Sequence, residues 1–178
     1  MGKNVLIVSG SPRKGGNSDL LCDQFLAGAR EAGHRAEKLR VAELRINFCT
    51  GCGTCVKTGR CAQKDDMAGA LEKLLAADVI VLATPVYFYA MCGQMKTFID
   101  RICPVYTRLT GKDAYFILAA ADPDTAAMAR TVEGFRGFTS CLTDVRERGV
   151  VYGVGAWAAG EIKTSPAMRQ AFEMGRNA

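Results

Sequence analysis

Val5-Leu6-Ile7-Val8-Ser9-Gly10-Ser11-Pro12-Arg13-Lys14-Gly15-Gly16-Asn17-Ser18 is the stretch on which the reading of this chain turns. Four consecutive apolar residues, three of them β-branched, read as a strand of a parallel sheet, buried on both faces. A loop of Gly, Ser, Pro, Arg and Lys follows, and a helix opens at Asn17 or Ser18. Such a strand–loop–helix unit aims free backbone N–H groups and the positive end of a helix dipole at one spot, which suits a phosphate. Ser9, Ser11 and Ser18 add hydroxyl donors, and Arg13 adds a forked cation. Gly10 and Gly15 have the spacing of a Walker A loop. Gly16-Asn17 stand where Lys and Ser or Thr would have to be, however, so nothing is placed for a γ-phosphate and its Mg²⁺. No G-x-G-x-x-G run for a dinucleotide occurs. A terminal monophosphate remains as the ligand that the loop fits.

Outward from this stretch, strands and helices alternate. Leu21, Phe25, Gly28, Ala29 and Ala32 recur at helical spacing up to Gly33, and a second strand is predicted over about 35–41. His34, the sole histidine, is expected to face solvent. Asp65-Asp66 open a helix whose dipole favours carboxylates in its first turn. Met67, Leu71, Leu74 and Leu75 form the buried face of that helix. Val79 to Ala83 is the clearest strand and is expected to run out into the loop Thr84-Pro85-Val86-Tyr87-Phe88-Tyr89. A helix with Met95, Phe98, Ile99 and Ile102 on one face follows, then a strand over 114–120. A long helix is predicted from Asp122-Pro123 to Gly149, then a fifth strand over 150–154 and a final helix from Ser165-Pro166. This alternation calls for a parallel sheet covered by helices on both faces. Five strands with a phosphate loop after the first fit the flavodoxin-like order 2-1-3-4-5, a three-layer α/β sandwich. Ligands of such sheets bind beyond the carboxyl ends of the strands, which brings the phosphate loop and the aromatic Thr84 loop to one site. A planar ring joined to a phosphate suits that pairing.

The 178 residues are read as one domain, 1–178, with a cysteine-rich insert at about 46–64. The net charge of +5 is modest and its basic residues are scattered, which argues for small anionic ligands and against a nucleic-acid surface. The apolar run 79–92 is broken by Thr84 and Pro85 and falls short of the roughly 18 residues that span a bilayer. No secretory signal is seen, and a cytoplasmic location is expected. Eight cysteines in a reducing compartment are then free thiols or metal ligands rather than disulfides. Cys22, Cys92, Cys103 and Cys141 are expected to be small buried hydrophobes. Cys49, Cys52, Cys55 and Cys61 instead lie within thirteen residues, and turns at Gly51, Gly53 and Gly59 let their sulfurs converge. C-x2-C-x2-C followed by a fourth Cys is an iron–sulfur spacing, here with a longer last gap than in bacterial ferredoxins and no Pro after it. Zinc and unligated thiols stay open as alternatives.

Taken together, these motifs resemble the iron–sulfur flavoproteins, within the wider NAD(P)H-dependent FMN reductase group. The resemblance rests on Gly10-Ser11-Pro12-Arg13 with Gly16-Asn17-Ser18, and on the compact cysteine motif running into Asp65-Asp66-Met67. It rests also on Thr84-Pro85-Val86-Tyr87-Phe88 with the helix Lys96-Thr97-Phe98-Ile99-Asp100-Arg101. It implies FMN, with the phosphate on Ser9, Ser11, Arg13, Asn17 and Ser18 around Gly16, and the isoalloxazine ring lined by Pro85, Val86, Tyr87 and Phe88. A [4Fe-4S] cluster on Cys49, Cys52, Cys55 and Cys61 is implied likewise. So is assembly as a homodimer or homotetramer with the flavin near a subunit contact. Relatives often have glycines after strand 4, where this chain reads Ala119-Ala120-Ala121-Asp122-Pro123. The expected function is an FMN-dependent oxidoreductase linked to NAD(P)H that passes electrons through the cluster, with a quinone or a ferredoxin as candidate acceptor. The alternatives are a cluster-free NAD(P)H:FMN or quinone reductase and a pure electron carrier. No side-chain acid or base is expected to be essential, because the cofactors carry the chemistry.

Overall fold

The structure is a computed structural model and describes residues 2–178. Strand β1 (Asn4–Ser9) leads through the phosphate loop into α1 (Asn17–Glu31) and β2 (Arg35–Arg40). The cysteine segment follows, containing a short helix α2 (Thr54–Thr58), and then α3 (Met67–Ala76). The second half runs β3 (Val79–Tyr87), β4 (Ala90–Met91), α4 (Gly93–Asp100), β5 (Asp113–Ala119), α5 (Ala129–Thr139), β6 (Arg146–Gly153) and α6 (Ala167–Arg176). The sheet order is β2-β1-β3-β5-β6 with every neighbouring pair parallel. The crossover from β1 out to β2 and back past β1 to β3 makes the switch point of a flavodoxin-like sheet.

One strand was not expected. The chain does not leave the sheet at Thr84. It stays extended to Tyr87, reverses at Phe88-Tyr89 and returns as β4, which pairs antiparallel with the end of β3. The five parallel strands therefore carry the order 2-1-3-5-6 of six rather than 2-1-3-4-5 of five. Phe88 and Tyr89 have φ of 49° and 60°. Two successive positive φ angles define the tight hairpin turn usually written Asn-Gly, and two aromatic residues conceal it from a sequence reading. A second correction concerns 122–149. Asp124, not Asp122, opens the helical stretch, its carboxylate accepting from the Ala126 N–H at 2.9 Å. The helix ends at Thr139, and Val145 and Gly149 lie outside it. Gly149 is inside β6, opposite Tyr115, where the ladder slips by one residue.

Alternate residues of the central strands serve the two faces. Val5, Ile7, Val79, Val81 and Ile117 pack against α1 and α6, around Leu21, Phe25 and Ala171. Leu6, Val8, Ile80, Leu82 and Phe116 pack against α3, α4 and α5, around Leu74, Phe98 and Phe135. Burial on both faces is why these strands read as unbroken apolar runs. Lys112 is buried beside β5, and its ammonium donates to the carbonyls of Leu75 (3.1 Å) and Ala77 at the end of α3. A cation at that negative pole stabilises the helix terminus. Among the described residues no helix is long and apolar enough to cross a membrane.

Candidate functional site

The carboxyl ends of β1, β3, β5 and β6 open on a cleft of about 440 Å³. Eight of the ten residues expected to bind a cofactor line it: Ser11, Arg13, Asn17, Ser18, Pro85, Val86, Tyr87 and Phe88. Ala119, Ala120, Ala121, Ala156 and Trp157 complete the wall. Ser9 and Gly16 lie behind it. The Ser9 hydroxyl is fully buried and donates to Asp19 at 2.9 Å, so it braces the loop from below. Gly16 packs so closely that a Cβ there would sit 2.8 Å from Ser11 Oγ and 3.1 Å from the Arg13 carbonyl, so only glycine lets the loop close.

The polar residues Ser11, Arg13, Asn17 and Ser18 of the lining all come from the loop after β1 and the start of α1. Ser11 Oγ folds the loop by donating to the Arg13 carbonyl (2.9 Å) and accepting from the Arg13 N–H (3.2 Å). Ser18 is 1% exposed and its hydroxyl has no hydrogen-bond partner. Among the described residues no backbone bond closes on the N–H groups of Asn17, Ser18 or Asp19, the first turn of α1. A buried hydroxyl left without a partner costs on the order of 1–3 kcal/mol. Placed beside free amides at a helix N-terminus, with the exposed Arg13 on the rim, it matches the oxygens of a phosphate. Asp19 would oppose an anion, but it is neutralised from behind. Gly15 N–H (3.0 Å), Lys38 (3.1 Å), Ser9 and Arg40 (2.5 Å) all donate to its carboxylate. Burial raises its pKa, and the Gly15, Lys38 and Ser9 hydrogen bonds outweigh that and hold it below the usual carboxylate range.

Asn17 plays a different part from the one expected. Its amide donates to the carbonyls of Ala156 (3.0 Å) and Ala158 (2.9 Å), and its Oδ1 accepts from Gly160 (3.0 Å) and Ile162 (3.4 Å). The side chain is spent clamping the loop after β6 against the phosphate loop, which leaves its backbone N–H for a ligand. That clamp brings in Trp157, which the sequence reading missed. Trp157 is 77% exposed, and Glu161 accepts from its N–H at 2.7 Å. Across the mouth stands Phe88, 100% exposed on its hairpin. The cleft thus pairs the polar loop after β1 with largely apolar walls from the ends of β3, β5 and β6 and with the exposed rings of Phe88 and Trp157.

The cysteine segment forms a second, separate cavity of about 230 Å³ lined by Cys49, Cys52, Cys55 and Cys61. Gly51, Gly53 and Gly59 take left-handed φ of 65–70° and make the turns that the spacing predicts. A fifth cysteine, Cys103, lines the same cavity, its sulfur 3.5 Å from that of Cys55. The expectation of a buried hydrophobe fails for Cys103 and for Cys141, which are exposed, and holds for Cys22 and Cys92. Cys103 follows the apolar face of α4, but the turn beyond that helix swings it out towards α2. The hydrogen bond with Cys55, then burial, then the nearby Cys55, Cys49 and Cys61 sulfurs push the Cys103 thiol up. Hydrogen bonds from Thr54 and Thr50 pull the Cys52 thiol down, towards the thiolate a metal needs. Among the described residues no three Cys, His, Asp or Glu side chains close around a point small enough for one metal ion. A cubane cluster spreads its thiolates wider than a single ion does, and a cavity walled by five sulfurs fits that donor chemistry.

Asp65 and Arg101 anchor this segment. Their side chains are 4% and 1% exposed and meet through two hydrogen bonds of 2.8 and 2.9 Å. Arg101 also donates to the Asn47 carbonyl (2.6 Å) and reaches Cys61 Sγ at 3.5 Å. The Arg101 hydrogen bond holds the Asp65 carboxyl down at about 2 against the pull of burial. Asp65 and Asp66 were expected to serve the dipole of α3. Asp65 does so, accepting from the Met67 N–H (3.2 Å) at the start of α3, and the two carboxylates also accept from the backbone N–H groups of Asn47 (3.0 Å) and Arg45 (2.7 Å). His34 likewise is half-buried rather than free, its Nδ1 accepting from the Lys3 N–H at 3.1 Å.

Comparison with known proteins agrees with this fold. The family model for NADPH-dependent FMN reductases matches residues 3–143. An iron–sulfur flavoprotein of Archaeoglobus fulgidus is 43% identical over 108 residues, covering 61% of this chain and 49% of that protein. One from Methanocaldococcus jannaschii is 39% identical over 101 residues, covering 57% and 52%. The chain thus spans about half the length of the curated relatives it matches. Among solved structures, the NAD(P)H:quinone oxidoreductase of Methanothermobacter marburgensis superposes with a TM-score of 0.74, covering 99% of this chain and 97% of that one. Its identity of 16% makes that a likeness of fold.

Proposed function

Because this chain belongs to the NADPH-dependent FMN reductase family, we propose that it is an FMN-dependent oxidoreductase linked to NAD(P)H, with a [4Fe-4S] cluster on Cys49, Cys52, Cys55 and Cys61. The observation that carries the flavin half is the buried, unpartnered hydroxyl of Ser18 in a cleft whose walls from β3 and β5 are largely apolar. In this reading Ser11, Ser18, Arg13 and the first N–H groups of α1 hold the phosphate. Pro85, Val86 and Tyr87 on one side and Ala119 to Ala121 on the other shield the ring from water, and Phe88 stands at the mouth. Asn17 and Asp19 act from behind as positioning residues. FMN, when bound, supplies two-electron exchange with a nicotinamide hydride, and a four-thiolate cluster supplies single-electron exchange.

The cluster half rests on the cysteine cavity and on the likeness to iron–sulfur flavoproteins. Asp65 and Arg101 keep the segment in register, and the Arg101 guanidinium reaches Cys61 Sγ at 3.5 Å. The whole chain acts as one FMN-binding unit with its cysteine insert at about 46–64, in a reducing, cytoplasmic compartment, with a quinone or a ferredoxin as acceptor. Self-association as a dimer or tetramer covers Phe48 and Val56, which stand 78% and 81% exposed beside the cysteines. Sedimentation checks that: a monomer at micromolar concentration is the opposing result. An absorption spectrum of protein purified without oxygen tests the main reading. Flavin bands with a broad visible shoulder are expected. Flavin bands alone remove the cluster, and a spectrum without flavin bands in protein incubated with FMN removes the cofactor assignment.

A further inference from the structure

Four cysteines satisfy the spacing of a cluster site, yet five sulfurs wall the cavity. The fifth comes from another part of the chain. Cys103 stands just past the end of α4, 48 residues from Cys55, and is exposed, whereas Cys55 is half-buried on α2. Their sulfurs are 3.5 Å apart, so about 1.5 Å of approach brings them to the length of a covalent S–S bond. Cys52, by contrast, hydrogen-bonds the Thr54 hydroxyl, and Cys61 accepts from Arg101. Among the described residues Cys55 alone of the four hydrogen-bonds another sulfur.

We propose that Cys55 and Cys103 form a dithiol site that closes to a disulfide at the expense of a small-molecule disulfide, and so withdraws Cys55 from the four-cysteine set. One thiolate of the pair attacks one sulfur of R–S–S–R, breaking that bond, forming a mixed disulfide and releasing one R–S⁻. The other thiolate then attacks the protein sulfur of that mixed disulfide and expels the second R–S⁻. The two protons lost by the protein thiols end on the two released thiols. Two electrons pass to the small disulfide, so the balance is R–S–S–R plus two protein thiols giving one protein disulfide plus two R–SH. A reducing pool of the same small thiol reverses the reaction. With Cys55 engaged, three of the motif cysteines remain, and the cavity is short of one ligand.

The test uses the full chain in a graded series of reduced to oxidised glutathione, alkylated, digested with trypsin and read by mass spectrometry. Cleavage leaves Cys103 in the peptide 102–108 and Cys49, Cys52 and Cys55 together in 46–57, so fragmentation within 46–57 must locate the bond. The expected result is one cross-link, from 102–108 to Cys55, formed and lost reversibly across the series and absent from Cys103→Ser. Cys103 recovered fully alkylated throughout, or bonded to Cys49, Cys52 or Cys61, overturns the proposal. A second arm rests on the cluster reading: iron and sulfide uptake by oxidised protein. Uptake should be at least tenfold slower in the oxidised wild type than in oxidised Cys103→Ser, and equal uptake overturns the withdrawal of Cys55. If reduced wild type also takes up no iron, the cluster reading has failed, while the cross-link stands or falls by the peptides alone.

Discussion

The cleft at the sheet's carboxyl end and the cysteine cavity are built in opposite ways. The cleft is an extension of the sheet. Its phosphate loop hangs between β1 and α1, tied by the Gly10 N–H to the Ala83 carbonyl at 2.8 Å and braced by the buried Ser9, Asn17 and Asp19. The cysteine segment has no strand to lean on. Its only regular element is the five-residue α2, Cys49 and Cys52 are exposed, and one buried ion pair carries much of its attachment. The two cavities share no lining residue. A site made of sheet-end loops inherits its rigidity from the core. A site made of an insert needs its own anchors, or a cofactor, to hold a shape.

The largest separation between the two regions is expected from Cys52→Ala. Three remaining motif thiolates hold a cluster poorly, so the visible shoulder should vanish and transfer to a ferredoxin should fall by at least about tenfold, on the order of 1.4 kcal/mol in barrier. FMN affinity should stay within about twofold, because the phosphate loop belongs to another segment. Undiminished one-electron transfer in the variant would refute the cysteines as the exit path.

Asp65→Ala breaks the anchor and leaves Arg101 charged and buried. A loss of about 3–5 kcal/mol of stability is expected from urea unfolding, the range for removing one partner of a buried pair. The pH dependence follows from the depressed carboxyl. With its pKa at about 2 in the folded chain against 3.8 for the free group, Asp65 contributes its full stabilisation above about pH 4. That contribution is lost as pH falls through about 2. Wild type and variant should therefore converge in stability on acidification. A gap that stays constant down to pH 2 would mean that the ion pair is not what holds the segment.

Ser18→Ala probes the cleft with two readouts of opposite sign. FMN binding should weaken by about 1.5–3 kcal/mol, the worth of a hydrogen bond to a charged group, and Arg13→Ala should weaken it similarly. The ligand-free Ser18→Ala protein should be no less stable than wild type, because the hydroxyl removed had no partner. Destabilisation of the free protein would show that Ser18 is structural.

The smallest effect concerns the hairpin at the mouth. Phe88 holds φ 49° with its ring wholly exposed. Phe88→Gly should relieve a left-handed penalty of about 1–2 kcal/mol, part of which the added flexibility of glycine cancels, for a net gain of at most about 1 kcal/mol. If the ring serves the cleft, binding of a planar acceptor should weaken in the same variant. A stability gain with unchanged acceptor binding would leave Phe88 without a role at the site.

Much of this was legible in the chain itself. Val5 to Val8 and Val79 to Ala83 announce buried parallel strands because burial on both faces leaves no polar alternation. The loop from Gly10 to Ser18 announces a strand–loop–helix unit at the mouth of a cleft because its glycines, serines and helix start follow one another directly. The cysteine spacing and its glycine turns are equally local. What these share is that the interacting groups are neighbours in sequence, so pattern alone brings them together. Other features belong to the tertiary structure. The Phe88-Tyr89 turn has no glycine or asparagine to mark it, and β4 has only two residues. Asn17 reads as a ligand contact until the loop at 156–162 is seen to consume its side chain. Trp157 enters the cleft through that clamp alone. Cys103 reads as core until the turn after α4 sets it beside Cys55, and Asp65 reads as a helix charge until Arg101, 36 residues on, is found buried against it. A sequence shows which groups a chain owns and how they recur. Which distant groups come to touch, and which of those are then shut away from water, is fixed only when the layers pack.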